Sequence, residues 1–436
     1  SAPALAARVC DAPELAWLDG EAPHADGRWS FLGCEPVERI ERYGGQRSPL
    51  AAFDALAAMS GEGGRDADGD DHERLGAYRQ LGLDPASVPR WIGYVAYDAA
   101  WCDRPGRLVR SGERPVLSFA RYDALLAIDH HAGRAYLIGD DEAACVRLAR
   151  RLRAGSRSPH ARSGPIEAAP PELHRAAIFA ALERIACGDV YQVNLARCFR
   201  APFDGDPLAL WLGLRSASPV PFGFYFDDGR QVIAARTMER FLRWQRATGS
   251  LVTRPIKGTL RRSGQRDAGE ADLLRADEKE RAEHAMIVDL MRNDLGRVAR
   301  IGSVSVPEVL AVEPYAGLHH LVSTVHCHTR PGVSLRDVLE AAFPPGSVTG
   351  TPKLAAIDLI ERLEPEPRDV YTGALGFIDR SGGLSLAVAI RCAQIASGEA
   401  RYFSGGGIVE ASHPDRELAE TELKAQVFRQ AIATLS

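Results

Sequence analysis

Short segments in which apolar and polar residues alternate predict an antiparallel sheet in the first third of the chain. Residues 91–97, 124–128 and 135–138 show the period of two that is typical of strands with one buried face. The run 141–152 carries apolar residues among charges at helical spacing, so we expect a helix packed on these strands. The polar stretch 60–76, which is rich in Gly and Asp, predicts a mobile surface loop.

A change in composition divides the chain into two predicted lobes. Ser, Arg and Pro dominate residues 155–171, after which a helical pattern resumes. We predict an N-terminal lobe at 1–154, a linker at 155–171 and a C-terminal lobe at 172–436. The second lobe mixes strands and helices without regular alternation, which disfavours a Rossmann or barrel fold and favours the α+β class.

Composition and charge exclude several classes of protein. The 436 residues are 45% apolar and 25% charged, as in ordinary globular proteins. The net charge of -5 and the lack of basic runs interleaved with aromatics predict no nucleic-acid partner. No stretch approaches the roughly 20 apolar residues of a membrane span, and no signal-peptide pattern is present, so we expect no membrane association and a cytoplasmic location. The eight cysteines form no Cys-x-x-Cys pair, which disfavours a zinc site or a disulfide framework.

Lys257 is the first candidate for chemistry, because it stands between a proline-containing segment and Gly258 in an apolar neighbourhood. Desolvation by Val252, Pro255 and Ile256 would disfavour the ammonium form and leave a nucleophilic amine near neutral pH. The alternative is a surface lysine beside a turn, since Gly and Pro often only punctuate loops.

Two helical segments of the second lobe carry carboxylates on faces where a purely packing helix would not place them. Glu283 shares a face with apolar residues four and seven positions later, and Glu417, Glu420 and Lys424 form a second stripe. Carboxylates that converge from two helices would suit Mg²⁺. The alternative is a pair of solvated helix faces with salt bridges.

A run of glycines in the segment 404–409 predicts a site for an anion. Consecutive glycines let backbone amides approach an anion, and Arg391 offers a planar fork for a carboxylate, so the implied ligand is a small carboxylic acid. A flexible hairpin is the alternative. The Pro- and Gly-rich loop 343–353 leads into a predicted helix at 354–363, whose start could hold an anion or only cap itself.

Taken in order, these segments resemble a known family. The matching segments are 188–195, 254–259, 281–296, 319–323, 346–353, 373–376, 389–391 and 405–409, together with Glu417, Glu420 and Lys424. They resemble the chorismate-utilising enzymes, which include anthranilate synthase component I, aminodeoxychorismate synthase component I and the isochorismate and salicylate synthases. The resemblance is strong from Arg175 onward and weaker at 29–33 and 91–97. It implies an α+β fold of the anthranilate synthase component I type, with two mainly antiparallel sheets packed as a sandwich, helices outside, and a chorismate-binding catalytic lobe at 172–436.

Two positions separate the members of this family. Isochorismate and salicylate synthases carry a lysine base where this chain has Gln192, and anthranilate synthases carry alanine where it has Lys257. The resemblance therefore implies an Mg-dependent aminodeoxychorismate synthase component I, which converts chorismate and ammonia to 4-amino-4-deoxychorismate through a covalent Lys257 adduct. Glu239 occupies the position of the general acid. Two departures affect it: Thr237 and Met238 replace the usual Ser and Pro, and the span to Lys257 is two residues longer than expected.

The resemblance also implies roles for the remaining residues. Glu283 and Glu420, with Glu417 contributing directly or through water, would hold Mg²⁺ against the ring carboxylate. The substrate would be bound by Gln192, His320, Thr349, Tyr371, Arg391, Gly405, Gly406, Gly407 and Lys424.

Several alternatives stay open at the level of sequence. No Cys–His–acid signature of a glutaminase surrounds any cysteine, so we expect ammonia from a separate glutamine amidotransferase subunit. The product would serve para-aminobenzoate and folate biosynthesis or a specialised pathway. The chain could instead be an anthranilate synthase or another chorismate-aminating enzyme, or a non-catalytic subunit that binds a carboxylic acid. Some relatives bind tryptophan in the first lobe, but Trp29 of this chain could equally fill the core.

Overall fold

The computed structural model describes residues 2–20, 27–46, 48–61, 78–102, 114–154, 158–261, 267–315 and 318–435. Most of the predicted loop 60–76 and the start of the predicted linker, 155–157, lie outside these ranges. Within them, no helix has both the length and the hydrophobicity needed to cross a membrane. All eight cysteines carry unbridged thiols, as the sequence predicts.

The helices begin and end as follows: α1 (Ala2–Ala6), α2 (Ala52–Gly61), α3 (Glu142–Arg153), α4 (Pro171–Ala186), α5 (Pro207–Ala217), α6 (Asp267–Ala276), α7 (Glu278–Gly296), α8 (Leu335–Ala342), α9 (Lys353–Leu363) and α10 (Pro414–Ala433). The strands of the first lobe and linker are β1 (Ala16–Asp19), β2 (Trp29–Gly33), β3 (Glu38–Tyr43), β4 (Pro89–Val95), β5 (Pro115–Arg121), β6 (Ala124–Asp129), β7 (Arg134–Gly139), β8 (Ala161–Ser163) and β9 (Glu167–Ala168). The strands that follow are β10 (Gln192–Gly205), β11 (Phe222–Asp227), β12 (Val232–Thr237), β13 (Arg240–Gln245), β14 (Ser250–Arg254), β15 (Ile256–Arg261), β16 (Ser305–Tyr315), β17 (Leu318–His328), β18 (Gly350–Thr351), β19 (Ala374–Asp379), β20 (Leu384–Val388), β21 (Cys392–Ala396) and β22 (Glu399–Ile408).

The described strands form two antiparallel sheets. In the first sheet the order is β18-β10-β22-β21-β12-β11-β1-β2-β6-β7, with β8 and β9 also paired to β10. In the second sheet the order is β15-β17-β14-β13-β20-β19-β4-β5-β3, with β16 paired to β17. Both sheets combine strands from either side of the predicted linker, and the lobe boundaries themselves stay a prediction.

The main core lies between the two sheets. Phe224 and Phe226 of the first sheet share one apolar cluster with Tyr94, Phe119 and Leu242 of the second. A further cluster joins the outer face of the first sheet to helices α3, α5 and α10. The predicted α+β fold, with two antiparallel sheets packed as a sandwich and helices outside, is confirmed.

Local patterns predicted three strands and one helix of the first lobe. The strands predicted at 91–97, 124–128 and 135–138 correspond to β4, β6 and β7, and the helix predicted at 141–152 is α3. Asp141 caps α3 by accepting hydrogen bonds from the amides of Ala143 and Ala144, which explains why the helix begins there.

Trp29 is half-buried and lines a cavity of about 170 Å³ between the sheets. Arg28, Arg240 and Arg243 also reach this cavity. The tryptophan therefore borders a space and does not fill the centre of the core, and the question of a bound tryptophan stays open.

Candidate active site

The site is built on the end of strand β22, where three glycines follow Ser404. Strand β22 pairs with β10 in the register Asn194↔Gly407, Leu195↔Gly406 and Ala196↔Gly405. On its other edge, pairing with β21 reaches only to Tyr402. In the described structure the glycines therefore have a strand on one edge only, and side chains from other elements can approach them.

Gly407 brings two predicted site residues together. A Cβ atom placed on Gly407 would lie 2.3 Å from Gln192 Nε2 and 3.3 Å from Lys257 Nζ. The amide and the amine thus occupy the space that a side chain would take. Lys257 lies on strand β15 and is partly buried, so it is not a surface lysine beside a turn.

Gly406 faces the opposite side of the same strand and meets the carboxylates of α10. A Cβ atom there would lie 3.2 Å from Glu417 Oε2 and 3.5 Å from Glu420 Oε1. Both carboxylates come from the first two turns of α10, where the positive end of the helix dipole favours negative charge. The predicted stripe on this helix therefore reaches the glycine run and is not a purely solvated face.

Lys424 and Arg391 complete this side of the site. Lys424 Nζ donates to Gly405 O at 2.8 Å and forms an ion pair with Glu420 Oε1 at 2.5 Å. Arg391 follows β20 in the left-handed backbone region, with φ of 51°, and its Nη1 donates to Lys424 O at 2.9 Å. This bond brings the guanidinium against α10.

The charged groups around Lys257 change the pKa of its amine. Desolvation by burial lowers the pKa of Lys257, and the negative charges of Glu283, Glu239 and Glu420 oppose that effect in part. The positive charge of Lys424 lowers the pKa of Lys257 further. Burial therefore favours the free amine, which is the nucleophilic form.

Glu239 is buried beside Lys257. Burial raises the pKa of Glu239 to about 7, and hydrogen bonds from Ser347 and from the amide of Ile256, the residue before Lys257, oppose the shift. The span between Glu239 and Lys257 contains the hairpin of β13 and β14, and its extra length relative to the family stays a prediction. A carboxyl group with this pKa can carry a proton near neutral pH.

His320 lies one position from Lys257 across the β15–β17 pairing. Its Nδ1 donates to Gly258 O at 3.0 Å, and burial lowers the pKa of the imidazole to about 4, so the ring is neutral. The positive charges of Arg391 and Lys424 contribute to this shift, which places the ring close to both.

Thr349 and Tyr371 are buried near the same region, and their described contacts are with the protein itself. Thr349 Oγ1 donates to Pro345 O at 2.8 Å. Tyr371 stacks on Phe403 with ring centroids 5.4 Å apart. Their roles in lining the substrate stay predictions.

Few carboxylates among the described residues lie where they could bind Mg²⁺ in this site. Within the described part of the chain, no three His, Cys, Asp or Glu side chains form a metal-binding group. Glu417 and Glu420 lie together at Gly406, and Glu283 is close enough to Lys257 to affect its pKa. Because Mg²⁺ usually takes one or two carboxylates and fills its shell with water or substrate oxygens, this donor set suits it, and Mg²⁺ stays a prediction.

Sequence reasoning missed several polar groups of this site. Ser347 bonds to Glu239, and it lies inside the matched segment 346–353, in which the sequence predicts a role only for Thr349. His284, next to Glu283, is fully buried and bonds through Nε2 to Ser323 Oγ at 2.7 Å. Asn194 follows Gln192 by two residues on the same face of β10. The period of two in β10 could have revealed Asn194, whereas the other contacts are long-range.

A compositional signal was also missed. Only four of the 53 lysine and arginine residues are lysines, and three of them are Lys257, Lys353 and Lys424. Lys353 Nζ is buried between Asp294 Oδ2 and Ala342 O, each at 2.6 Å. Three of the four lysines therefore lie at buried or ion-paired positions, where an amine and a guanidinium are not interchangeable.

Comparison with known proteins agrees with this geometry. The sequence profile of the family described as chorismate binding enzyme matches residues 15–430. An aminodeoxychorismate synthase of Streptomyces pristinaespiralis is 35% identical and aligns with 98% of this chain and 63% of its own length. Anthranilate synthase component 1 of Streptomyces coelicolor is also 35% identical, over 98% of this chain and 85% of its own length.

The fold has a close counterpart among solved structures. The crystal structure of anthranilate synthase component I from Streptococcus pneumoniae superposes with a TM-score of 0.77 at 28% identity and covers 92% of each chain. The chain spans 63% and 49% of the lengths of two Streptomyces aminodeoxychorismate synthases, so these relatives are considerably longer. From the extent of the profile match and the shared fold, the chain belongs to the family of chorismate binding enzymes.

Proposed function

We propose that this chain has the activity of aminodeoxychorismate synthase component I, the amination of chorismate at ring carbon C4. The observation that carries the proposal is the position of Lys257 Nζ beside Gln192 Nε2 over Gly407, with Glu239 buried next to Lys257. An amine nucleophile and a proton donor in one pocket match a substitution in which a hydroxyl group leaves and an amine enters.

The two groups have complementary tasks in this reaction. Lys257 adds to C2 of the ring while the C4 hydroxyl departs, and Glu239 supplies the proton that makes the hydroxyl leave as water. Ammonia then forms a bond to C4, and the C2–Nζ bond breaks. Burial favours the reactive state of each group, because the pKa of Lys257 is lowered and the pKa of Glu239 is raised to about 7.

Binding of the substrate would use the two sides of β22. Glu417 and Glu420, with Glu283, would hold Mg²⁺, which when bound would neutralise and orient a substrate carboxylate. Arg391 and the amides of the glycine run would bind a second carboxylate.

Lys257 is the reason to prefer C4 amination over formation of anthranilate. Relatives with both names match the chain at similar identity, so the names alone do not choose between the two reactions. A nucleophile of the protein that occupies C2 directs the incoming ammonia to C4, whereas direct attack of ammonia on C2 gives a 2-amino product. The resemblance assigns alanine to this position in the anthranilate-forming enzymes, and this chain has lysine.

We further propose that the ammonia comes from a separate glutamine amidotransferase subunit. No Cys–His–acid signature surrounds any of the eight cysteines in the sequence, which supports this proposal. Burial also raises the pKa of six of the eight thiols and so disfavours the thiolate that a glutaminase needs: Cys10, Cys34, Cys145, Cys198, Cys327 and Cys392. The purified chain should then make product from ammonium salts and not from glutamine.

The test is identification of the product formed from chorismate, Mg²⁺ and ammonium by the wild type and by Lys257→Ala and Lys257→Arg. We expect 4-amino-4-deoxychorismate from the wild type and none from either variant, since arginine retains the charge but is not a nucleophile. A dominant 2-substituted product, or an active Lys257→Arg variant, would contradict the proposal.

The scarcity of lysine permits a second readout. An amine-specific reagent at neutral pH should modify Lys257, because burial lowers its pKa and so favours the free amine, and chorismate with Mg²⁺ should protect it. Peptide mass spectrometry compares Lys257 with Lys424 in the same sample, so Lys424 is an internal control. Equal modification of both amines would contradict the assignment of the nucleophile.

A further inference from the structure

Asn194 and Gln192 present two amide side chains to the same side of strand β10. They lie two residues apart, and Gly407 is the cross-strand partner of Asn194. Gly407 has no side chain, and the space that a Cβ atom would take there is occupied by Gln192 Nε2 and Lys257 Nζ, so the amide of Gln192 lies beside the amine. The intervening Val193 faces the other way, into the apolar cluster formed with α4 and α9.

Both amides are buried, and each has an oxygen atom without a hydrogen-bond partner among the described residues. The exposed fraction is 0% for Gln192 and 6% for Asn194. Within the described structure, Gln192 Nε2, Gln192 Oε1 and Asn194 Oδ1 have no hydrogen-bond partner. Native proteins rarely retain such groups without a use, because burial of an unpaired amide is unfavourable.

The side chain of Asn194 is not needed to hold the strand. Its backbone N–H donates to Thr349 O at 2.9 Å, and its carbonyl accepts from Arg368 Nη2 at 2.7 Å. An apolar residue could occupy the same position without an unpaired oxygen. The polar atom therefore serves something that the protein alone does not supply.

A small molecule with several N–H groups and one lone pair fits these two oxygens. Ammonia can donate one hydrogen to Asn194 Oδ1 and one to Gln192 Oε1, which leaves its lone pair for the ring. An amide cannot take up a proton near neutral pH, so these side chains cannot activate water as a base would, whereas ammonia is a nucleophile without deprotonation. We infer that Asn194 and Gln192 form the ammonia pocket, and that Asn194 is a positioning residue for the nucleophile; the inference rests on the proposed function.

The pocket acts in the second half of the reaction. The lone pair of the held ammonia forms the C4–N bond, the C2–Nζ bond breaks with its electron pair returning to Lys257, and the ring double bonds return to their original positions. The new C4 ammonium gives one proton to Glu239, which became a carboxylate when it protonated the departing hydroxyl. No oxidant or further reactant is required.

The test measures steady-state kinetics of wild type, Asn194→Ala and the control Cys198→Ala with ammonium and chorismate. Cys198 is buried on the same face of the same strand, four residues farther along, where it contacts Tyr371 and Phe403. We expect Asn194→Ala to raise the KM for ammonia about tenfold while the KM for chorismate changes less than about twofold, which corresponds to the loss of one buried hydrogen bond. The variant should also accept methylamine, because the pocket is larger, whereas Cys198→Ala should change neither property.

Each outcome separates the inference from the proposed function. An unchanged ammonia KM in Asn194→Ala, with normal 4-amino product from the wild type, overturns the ammonia pocket alone. A 2-amino product from the wild type overturns the proposed function, while a raised ammonia KM in the variant still supports the pocket. A parallel rise of both KM values with a lower Tm means that Asn194 is structural, and no ammonia-dependent turnover by the wild type overturns both statements.

Discussion

Replacement of Gly407 by alanine is the most direct test of the site geometry. The added methyl group would lie 2.3 Å from Gln192 Nε2 and 3.3 Å from Lys257 Nζ. Non-bonded heavy atoms prefer about 3.5–4 Å, so the first contact is more than roughly 1 Å too short. The amide of Gln192, the amine of Lys257 or the strand itself must therefore move.

The expected losses of stability and of rate follow from the contacts of the added methyl group with Gln192 Nε2 and Lys257 Nζ. Overpacking in a well-packed region costs about 1–3 kcal/mol, which for a chain of this size lowers the Tm by a few degrees. Displacement of a reacting group by about 1 Å lowers the rate on the order of 100-fold. We therefore expect Gly407→Ala to remain folded and to lose C4 amination by about two orders of magnitude in kcat.

The assay compares Gly407→Ala with two other glycine variants. In Gly406→Ala the methyl group meets Glu417 Oε2 at 3.2 Å, so we expect weaker binding of Mg²⁺, measured as a higher Mg²⁺ concentration for half-maximal rate. The amine labelling of Lys257 should be retained. In Gly269→Ala no atom lies within 4 Å of the added carbon, so the variant should behave as wild type. Wild-type kcat and labelling in Gly407→Ala would refute the arrangement of Gln192 and Lys257 described above.

Three further predictions concern charge. The pKa of Glu239 is raised to about 7, and its acid form is the active one. The rate per unit of free NH₃ should therefore fall as pH rises through about 7. In the same pH–rate series Glu239→Gln should show a low rate that does not fall near pH 7. Glu420→Gln should raise the Mg²⁺ concentration for half-maximal rate roughly tenfold or more, measured by titration, and unchanged dependence would exclude Glu420 as a ligand. Arg368→Met should reduce the free energy of unfolding, measured in urea, by about 3–5 kcal/mol, because the buried Glu364 carboxylate loses the guanidinium at 2.7 Å. The double variant with Glu364→Gln should recover part of the lost stability. A stability of Arg368→Met equal to that of the wild type would contradict the prediction.

Local sequence patterns predicted elements whose stabilising contacts are close in the chain. The alternation in β6 and β7 reflects a hairpin, and helix α3 follows directly and packs on both strands. The order of strands in the sheets was beyond such patterns, because pairs such as β10 with β22 join residues about 200 positions apart. The predicted lobes are contiguous in sequence, whereas each sheet takes strands from both.

The candidate site shows the same limit at the level of single residues. The glycine run was predicted as a set of backbone amides for an anion, and the structure adds that Gly406 and Gly407 make room for different side chains on opposite faces of one strand. That distinction depends on the period of two in β22 and on the partners from α10 and β15, which no local pattern contains. The hydrogen bonds to Glu239 likewise come from Ser347, far along the chain, and from the amide of Ile256, across a hairpin.

Lysine usage connects these observations. A guanidinium stays protonated at any accessible pH, whereas an amine can lose its proton when it is buried and can place three donors around one compact atom. Lys257 needs the first property if it is to form a bond to carbon, and its pKa is lowered by burial. Lys353 and Lys424 use the second property, since each Nζ joins a carboxylate and a carbonyl oxygen at separations of 2.8 Å or less. Three of the four lysines, Lys257, Lys353 and Lys424, thus lie where one of these two properties is used.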